Sequence, residues 1–148
     1  MKSIFADADY FIALLNPKEQ LHLQAKGVSQ SLGQARIVTS EMVLAEVLAF
    51  YADRGPALRE AAASLALRIA ADPNATVVPQ TSVQFTEALN FYRGHKDKPW
   101  SLTDCGSFLI MREHGLAEAL THDHHFEQAG FTALLRTMQE RSAEFDNG

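Results

Sequence analysis

The sequence predicts an α/β protein, a three-layer α/β/α sandwich around a mostly parallel sheet of roughly five strands. Three observations predict it. Short apolar, β-branched runs alternate with longer segments of helical spacing along the whole chain of 148 residues. No internal repeat, charge block or Ser/Gly linker breaks that alternation. Helical segments fill the connections between successive strands, as parallel pairing requires.

Each element follows from local chemistry. Ser3 to Ala6 is a strand centred on Ile4 and Phe5, and the apolar stretch Tyr10 to Leu15 is a helix stopped by Asn16-Pro17. Gln20 to Leu32 forms a second helix, Arg36 to Thr39 a strand, and Met42 to Tyr51 a helix that breaks near Gly55-Pro56. Leu58, Ala62, Leu65 and Ile69 recur at helical spacing, with Arg59, Glu60 and Arg68 elsewhere, which gives an amphipathic helix ending around Asp72-Pro73. Thr76 to Val78 is a strand, Ser82 to Tyr92 and Thr103 to His114 are helices, and Ala117 to Thr121 and Phe131 to Leu135 are the last strands. One domain over residues 1–136 is expected, with 137–148 as a flexible C-terminal tail. The order of strands within the sheet is not readable from these patterns.

Composition sets bounds. With 47% hydrophobic and 21% charged residues the chain is of ordinary globular type, and its length suffices to bury a core without metal or disulfide staples. A bound metal would therefore serve chemistry. The single cysteine, Cys105, excludes an intrachain disulfide and fits a reducing compartment. The N-terminal run meets Asp7 and Asp9 too early for a signal peptide or a membrane span, so a cytoplasmic protein with no membrane role is expected. Thirteen basic against eighteen acidic residues leave a net charge of −5, which argues against coating nucleic acid with a broad basic face. It does not exclude a nuclease whose acids are gathered around divalent cations.

Four acidic residues carry the chemistry. In parallel sheets ligands bind at the carboxyl ends of strands. Asp7 directly follows the first strand and Asp123 nearly follows the strand Ala117 to Thr121, so both belong at the same sheet edge. Glu46 is the only charge in MVLAEVLAFY, a helix apolar nearly all round, where a buried carboxylate needs a compensating cation; a narrow exposed stripe is the plainer reading. Asp104 closes Ser101-Leu-Thr-Asp104, a capping box, and from a first helical turn it can also project toward the strand ends. Helix capping would explain Asp7 or Asp123 singly. Taken as a set, clustered carboxylates repel unless a cation is bound, and hard oxygens select Mg²⁺ or Mn²⁺. Such ions hold and hydrolyse phosphodiesters.

The stretches IFADADYFIALL, TSEMVLAEVLAF, WSLTDCGSFLIMREHG and ALTHDHHFEQAGF together resemble the PIN-domain family, especially its single-domain VapC-type toxins, over nearly the whole chain. Asp7, Glu46, Asp104 and Asp123 fall in order on that family's four acidic positions. Thr121 to Asp123 followed by Phe126 and Gly130-Phe131 is the most specific local match. The resemblance implies a PIN-like α/β/α fold and an endoribonuclease dependent on Mg²⁺ or Mn²⁺. It also implies an RNA substrate, frequent homodimerisation and a cognate antitoxin. Asp7, Asp104 and Asp123 are then the principal metal contacts, with Glu46 binding metal or orienting a metal-bound water. Asp9 departs from the pattern, standing where the family more often has Ser, Thr or Asn. It would be either an added member of the site or the N-cap of the helix from Tyr10, and the cap is the reading preferred. The resemblance also implies that Thr121 serves the family's polar position near the fourth acid.

Other residues have plainer roles beside the functional ones. Arg93, Lys96 and Lys98 lie in RGHKDK, the most basic stretch, and are expected to contact phosphate beside the acidic centre, although a solvated loop would look the same. Trp100 is either a platform for an unpaired base or a core anchor. His122, His124 and His125 surround Asp123, but adjacent histidines point apart on regular backbone and no closed zinc site is expected. Cys105 reads as packing, and Phe50, Tyr51, Phe85, Phe91 and Tyr92 as core or interface aromatics. Two other functions remain open at this level. Asp7-Ala-Asp9 after a strand is similar to the haloacid-dehalogenase phosphatase motif, yet Phe11 and the lack of a later Asp-Asp pair fit it poorly. The other is a non-catalytic PIN-like domain that binds RNA or protein.

Overall fold

A computed structural model describes residues 1–137 and 139–141. Its first strand, β1 (Lys2–Ala6), leads into α1 (Ala8–Leu15) and α2 (His22–Leu32), then β2 (Ala35–Ser40), α3 (Glu41–Phe50), α4 (Pro56–Ala71) and β3 (Ala75–Val78). The second half holds α5 (Ser82–Gly94), α6 (Leu102–Glu113), β4 (Glu118–Leu120), α7 (His124–Gln128) and β5 (Thr132–Ala133). The expected elements are all present, with ends shifted by a few residues; the last strand is the shortest, two residues where five were expected.

All four strand pairs are parallel, in the order β3-β2-β1-β4-β5. Phe5 sits in register with Val38 on one side and Ala119 on the other. Ile4, Phe5 and Ala6 are fully buried because the central strand is covered on both faces, which explains its unbroken apolar run. The chain steps outward from β1 to β3, then crosses back to β4 and β5 on the far side of β1. Right-handed crossovers put α1 to α4 over one face and α5 to α7 over the other. The fold is the predicted α/β/α sandwich.

Side-chain caps fix where helices begin. Ser40 accepts from the Val43 N–H at 3.1 Å, and Thr81 from the Gln84 N–H at 3.1 Å. Gly55, at φ 98°, turns the chain into α4, whose first residue is Pro56. Between the second helical layer and the sheet, Phe108 packs edge-on against Phe126 and against Trp100, each with centroids 5.0 Å apart. Trp100 is only 6% exposed and its Nε1 donates to Gln128 at 3.0 Å, so it is the core anchor and not a base platform. Cys105 is fully buried packing. Phe85 and Tyr92 are exposed on α5, whereas Tyr51 is buried and donates its hydroxyl to the Ile12 carbonyl at 2.6 Å.

The expected tail from residue 137 is described only at 137 and 139–141. Glu140 pairs with His122, and Arg141 donates to Glu127 at 2.9 Å and to the Ala133 carbonyl at 2.7 Å, so this stretch docks on the α7 side of the domain. The remainder of the tail lies outside the described residues. Among the described residues, no helix is long and apolar enough to cross a membrane.

Candidate active site

Strand order reverses direction at β1, because the chain leaves it toward β2 and returns to β4 on its other side. That crevice is where an open α/β sheet binds ligands. Asp7 ends β1 and its N–H donates to the Leu120 carbonyl at 3.1 Å, which ties the two strand ends together. Although Asp7 occupies the N-cap position of α1, its side chain makes no capping bond. The carboxylate instead accepts from the Thr121 hydroxyl at 2.9 Å and is 7% exposed.

Asp9 is not a cap. Helix α1 begins at Ala8, so Asp9 falls inside its first turn, and its Oδ2 accepts from the His122 N–H at 2.7 Å and faces the Thr121 hydroxyl at 3.3 Å. Its Oδ1 is enclosed without a hydrogen-bond partner. Asp104 fulfils both of its readings. It completes the capping box, accepting from the Ser101 N–H at 3.1 Å while its own N–H donates to the Ser101 hydroxyl at 3.0 Å, and it lines the cleft. Asp123 caps α7 by accepting from the His125 N–H at 2.9 Å, and it lines the cleft too.

Glu46 corrects one inference. The apolar run around it suggested a buried carboxylate, but α3 buries only Met42, Val43, Leu44 and Val47. Ala45, Leu48 and Ala49 are exposed beside Glu46, so small residues and one leucine imitate an all-apolar helix. Glu46 stands at the cleft rim, within reach of Thr103 and of the Asp104 and Asp123 charges.

The cleft has a volume of about 370 Å³ and is lined by Asp7, Asp9, Glu46, Asp104, Asp123 and His125, with Ala8, Ile12, Pro99 and Ser101 between them. None of these is Lys or Arg. Burial, and then the neighbouring Asp9 charge, hold the Asp7 carboxyl well above the ordinary range, against hydrogen bonds from Ala8 and Thr121. Burial raises Asp9 to about 6, opposed by the His122 and Thr121 hydrogen bonds. Burial and the Asp123 charge raise Asp104, and burial with the Asp104 and Asp123 charges raises Glu46 against a Thr103 hydrogen bond. Such a set fits a divalent cation: its donors are hard oxygens, one enclosed carboxylate oxygen lacks a partner, and neither Lys nor Arg lines the cleft.

Thr121 is fully buried behind the carboxylates and does not line the cleft. Besides facing Asp7 and Asp9, its hydroxyl accepts from the Asp123 N–H at 3.1 Å, so one side chain joins three of the acidic residues. Arg93, Lys96 and Lys98 lie apart from the acids, around a neighbouring hollow of about 350 Å³ with Tyr92, His95, Pro99 and Trp100. Pro99 lines both cavities, so the basic hollow adjoins the acidic cleft. His95 is stacked on Phe91 at 4.1 Å.

His125 joins the four acids in the cleft, beyond the residues the sequence marked. The expectation that adjacent histidines diverge is corrected at the tight start of α7, where the His124 and His125 rings lie 4.6 Å apart and both approach Asp123. The signal was present in the spacing: the backbone N–H of a residue two positions after a helix-capping Asp donates to that carboxylate, which keeps the residue beside it.

The sequence model of the PIN domain matches residues 4–132. The 23S rRNA-specific endonuclease VapC20 of Mycobacterium tuberculosis is 30% identical over 134 residues, covering 88% of this chain and 97% of that protein. Its crystal structure, described as a Sarcin-Ricin loop cleaving toxin, superposes with a TM-score of 0.77 at 28% identity over 87% of this chain and 96% of that one. FitAcB from Neisseria gonorrhoeae shares the fold, with a TM-score of 0.58 at 16% identity over 88% and 94% of the two chains.

Proposed function

This chain belongs to the PIN domain family, and from that membership we propose that it is a divalent-metal-dependent endoribonuclease, the toxin of a toxin–antitoxin pair. The observation that carries the reading is the convergence of Asp7, Glu46, Asp104 and Asp123 on one cleft with neither Lys nor Arg in its lining. Neither a phosphatase nor a non-catalytic domain is favoured by the relatives.

Asp7, Asp104 and Asp123 would hold Mg²⁺ or Mn²⁺ directly. A bound ion of this kind supplies a nucleophile at neutral pH and charge stabilisation at phosphorus. Glu46, at the rim and with its carboxyl raised, accepts the proton of an attacking water or orients that water. Thr121 keeps the Asp7 carboxylate and the Asp123 backbone in place. Arg93, Lys96 and Lys98 hold the RNA backbone in the adjoining hollow, away from the bond being cut. The nuclease domain spans residues 1–136. The reading extends to a cytoplasmic setting, a cognate antitoxin and a homodimer, for which Phe85, Leu89 and Tyr92 offer an exposed apolar stripe on α5.

The test compares wild type with Asp7→Asn and Asp104→Asn on end-labelled cellular RNA with Mg²⁺, Mn²⁺ or EDTA, each protein checked for folding by circular dichroism. Cleavage should fall by roughly 100-fold or more in both variants, as in other preorganised electrostatic sites, and vanish in EDTA. Because the relative acts on 23S rRNA, ribosomal RNA is the first substrate to map. Undiminished cleavage in either variant, or in EDTA, overturns the reading.

A further inference from the structure

One nitrogen base lines the acidic cleft, and it is His125. The start of α7 puts it there, since Asp123 accepts the His125 N–H and so turns that residue back toward the strand ends. Its Nδ1 stands 3.1 Å from Asp104 Oδ2 and 3.3 Å from Asp123 Oδ1, with the side chain only 19% exposed. Two carboxylates, from the first turn of α6 and the N-cap of α7, therefore meet at one ring nitrogen. His124 differs. It is 45% exposed, its Nδ1 lies 4.0 Å from Asp123, and it does not line the cleft.

We propose that His125 is a nitrogen ligand of the metal centre, forming with Asp104 and Asp123 a mixed nitrogen–oxygen donor set that prefers Mn²⁺ and later first-row ions to Mg²⁺. This rests on the metal-dependent reading above and deepens it. A ring nitrogen carries a single proton or a single lone pair in the ring plane, so it cannot serve two carboxylate oxygens equally as a hydrogen-bond donor. A cation between the three atoms serves all of them. Ligand atoms about 2.1 Å from an octahedral ion lie about 3.0 Å apart along each edge, close to the 3.1 and 3.3 Å that separate His125 Nδ1 from Asp104 Oδ2 and Asp123 Oδ1. Imidazole nitrogen suits Mn²⁺ and the ions beyond it better than Mg²⁺, which keeps to oxygen and water.

The experiment measures Mn²⁺ and Mg²⁺ binding by calorimetry to wild type, His125→Ala and His124→Ala. It also records nitrogen coupling to bound Mn²⁺ by electron spin-echo spectroscopy. Expected are tighter binding of Mn²⁺ than Mg²⁺ by wild type and a nitrogen coupling. In His125→Ala, Mn²⁺ affinity should fall about 10-fold or more, Mg²⁺ affinity should fall less, and the coupling should disappear. His124→Ala should leave all three unchanged. Should His125→Ala fail to fold, a nitrogen coupling present in both wild type and His124→Ala supports the assignment, and its absence from wild type overturns it. Unchanged Mn²⁺ affinity in folded His125→Ala overturns it, as does tighter binding, which would make the imidazole a counter-ion that competes with metal. Folded wild type that binds neither ion overturns the metal-dependent reading together with this inference.

Discussion

Thr121 has one hydroxyl proton and two carboxylates to share it with. The shorter contact, 2.9 Å, goes to Asp7, and the lone pairs receive the Asp123 N–H at 3.1 Å. Thr121→Val keeps the shape and removes both functions, leaving a buried amide and a buried carboxylate each short of a partner. The variant should lose about 1–3 kcal/mol of stability in urea unfolding and cleave RNA more slowly than wild type at saturating metal. The raised carboxyls give a second prediction. Asp9, lifted from 3.8 to about 6, and Asp7, shifted the same way, retain protons in the folded state that the unfolded chain has released. Between about pH 4 and pH 6 the folded protein thus binds more protons, and its stability falls as pH rises through that window. Metal-free protein should melt several degrees higher at pH 5 than at pH 7.5, and Mn²⁺ should raise the midpoint more at pH 7.5 than at pH 5. Differential scanning fluorimetry with EDTA or Mn²⁺ checks both, and a midpoint independent of pH contradicts the assignment.

At the scale of elements, α6 presents Asp104 through its first turn, so its cap is both structural and functional. Ser101→Ala removes the hydroxyl that receives the Asp104 N–H and should cost about 1 kcal/mol, read from denaturant unfolding. Farther along, an added Cβ at Gly106 would meet the Met42 Sδ at 3.4 Å, the movable end of a flexible chain. Gly106→Ala should therefore be neutral or stabilising by up to about 1 kcal/mol in the same assay, since a helix interior favours alanine. The same scale explains what was legible beforehand. Capping Ser101, the Asn16-Pro17 stop and the β-branched strand Thr76 to Val78 are local signals, and the elements they mark formed. Asp7 and Asp123 were legible because a residue just after a parallel strand has one place to be. Strand order was not, since short parallel strands carry no local mark of their neighbours. The role of Asp9 depends on Thr121 and His122, 112 and 113 positions away, so only the folded chain reveals it. Glu46 was misjudged because exposed alanines and a leucine count as apolar in a sequence pattern without being buried.

Over the whole molecule, a net charge of −5 and a carboxylate-lined cleft repel RNA, while the hollow sharing Pro99 with that cleft gathers Arg93, Lys96 and Lys98. Attraction to the phosphate backbone must therefore be local, drawn from this one basic stretch and from cations bound at the acids. Each phosphate neutralised on a single strand contributes a slope of about −0.7 to log affinity against log salt. Replacing Arg93, Lys96 and Lys98 together by Gln should weaken binding of an uncleaved RNA and flatten that slope by about 2 if all three touch phosphate. Because none of the three lines the acidic cleft, Mn²⁺ affinity should stay at the wild-type value. Fluorescence anisotropy with catalytically inactive Asp104→Asn as the parent, over a salt series, separates these effects. An unchanged slope would make the stretch a solvated loop and place the RNA track on another face of the domain. A flattened slope would mean that this acidic protein recruits RNA through a basic hollow directly beside its acidic cleft.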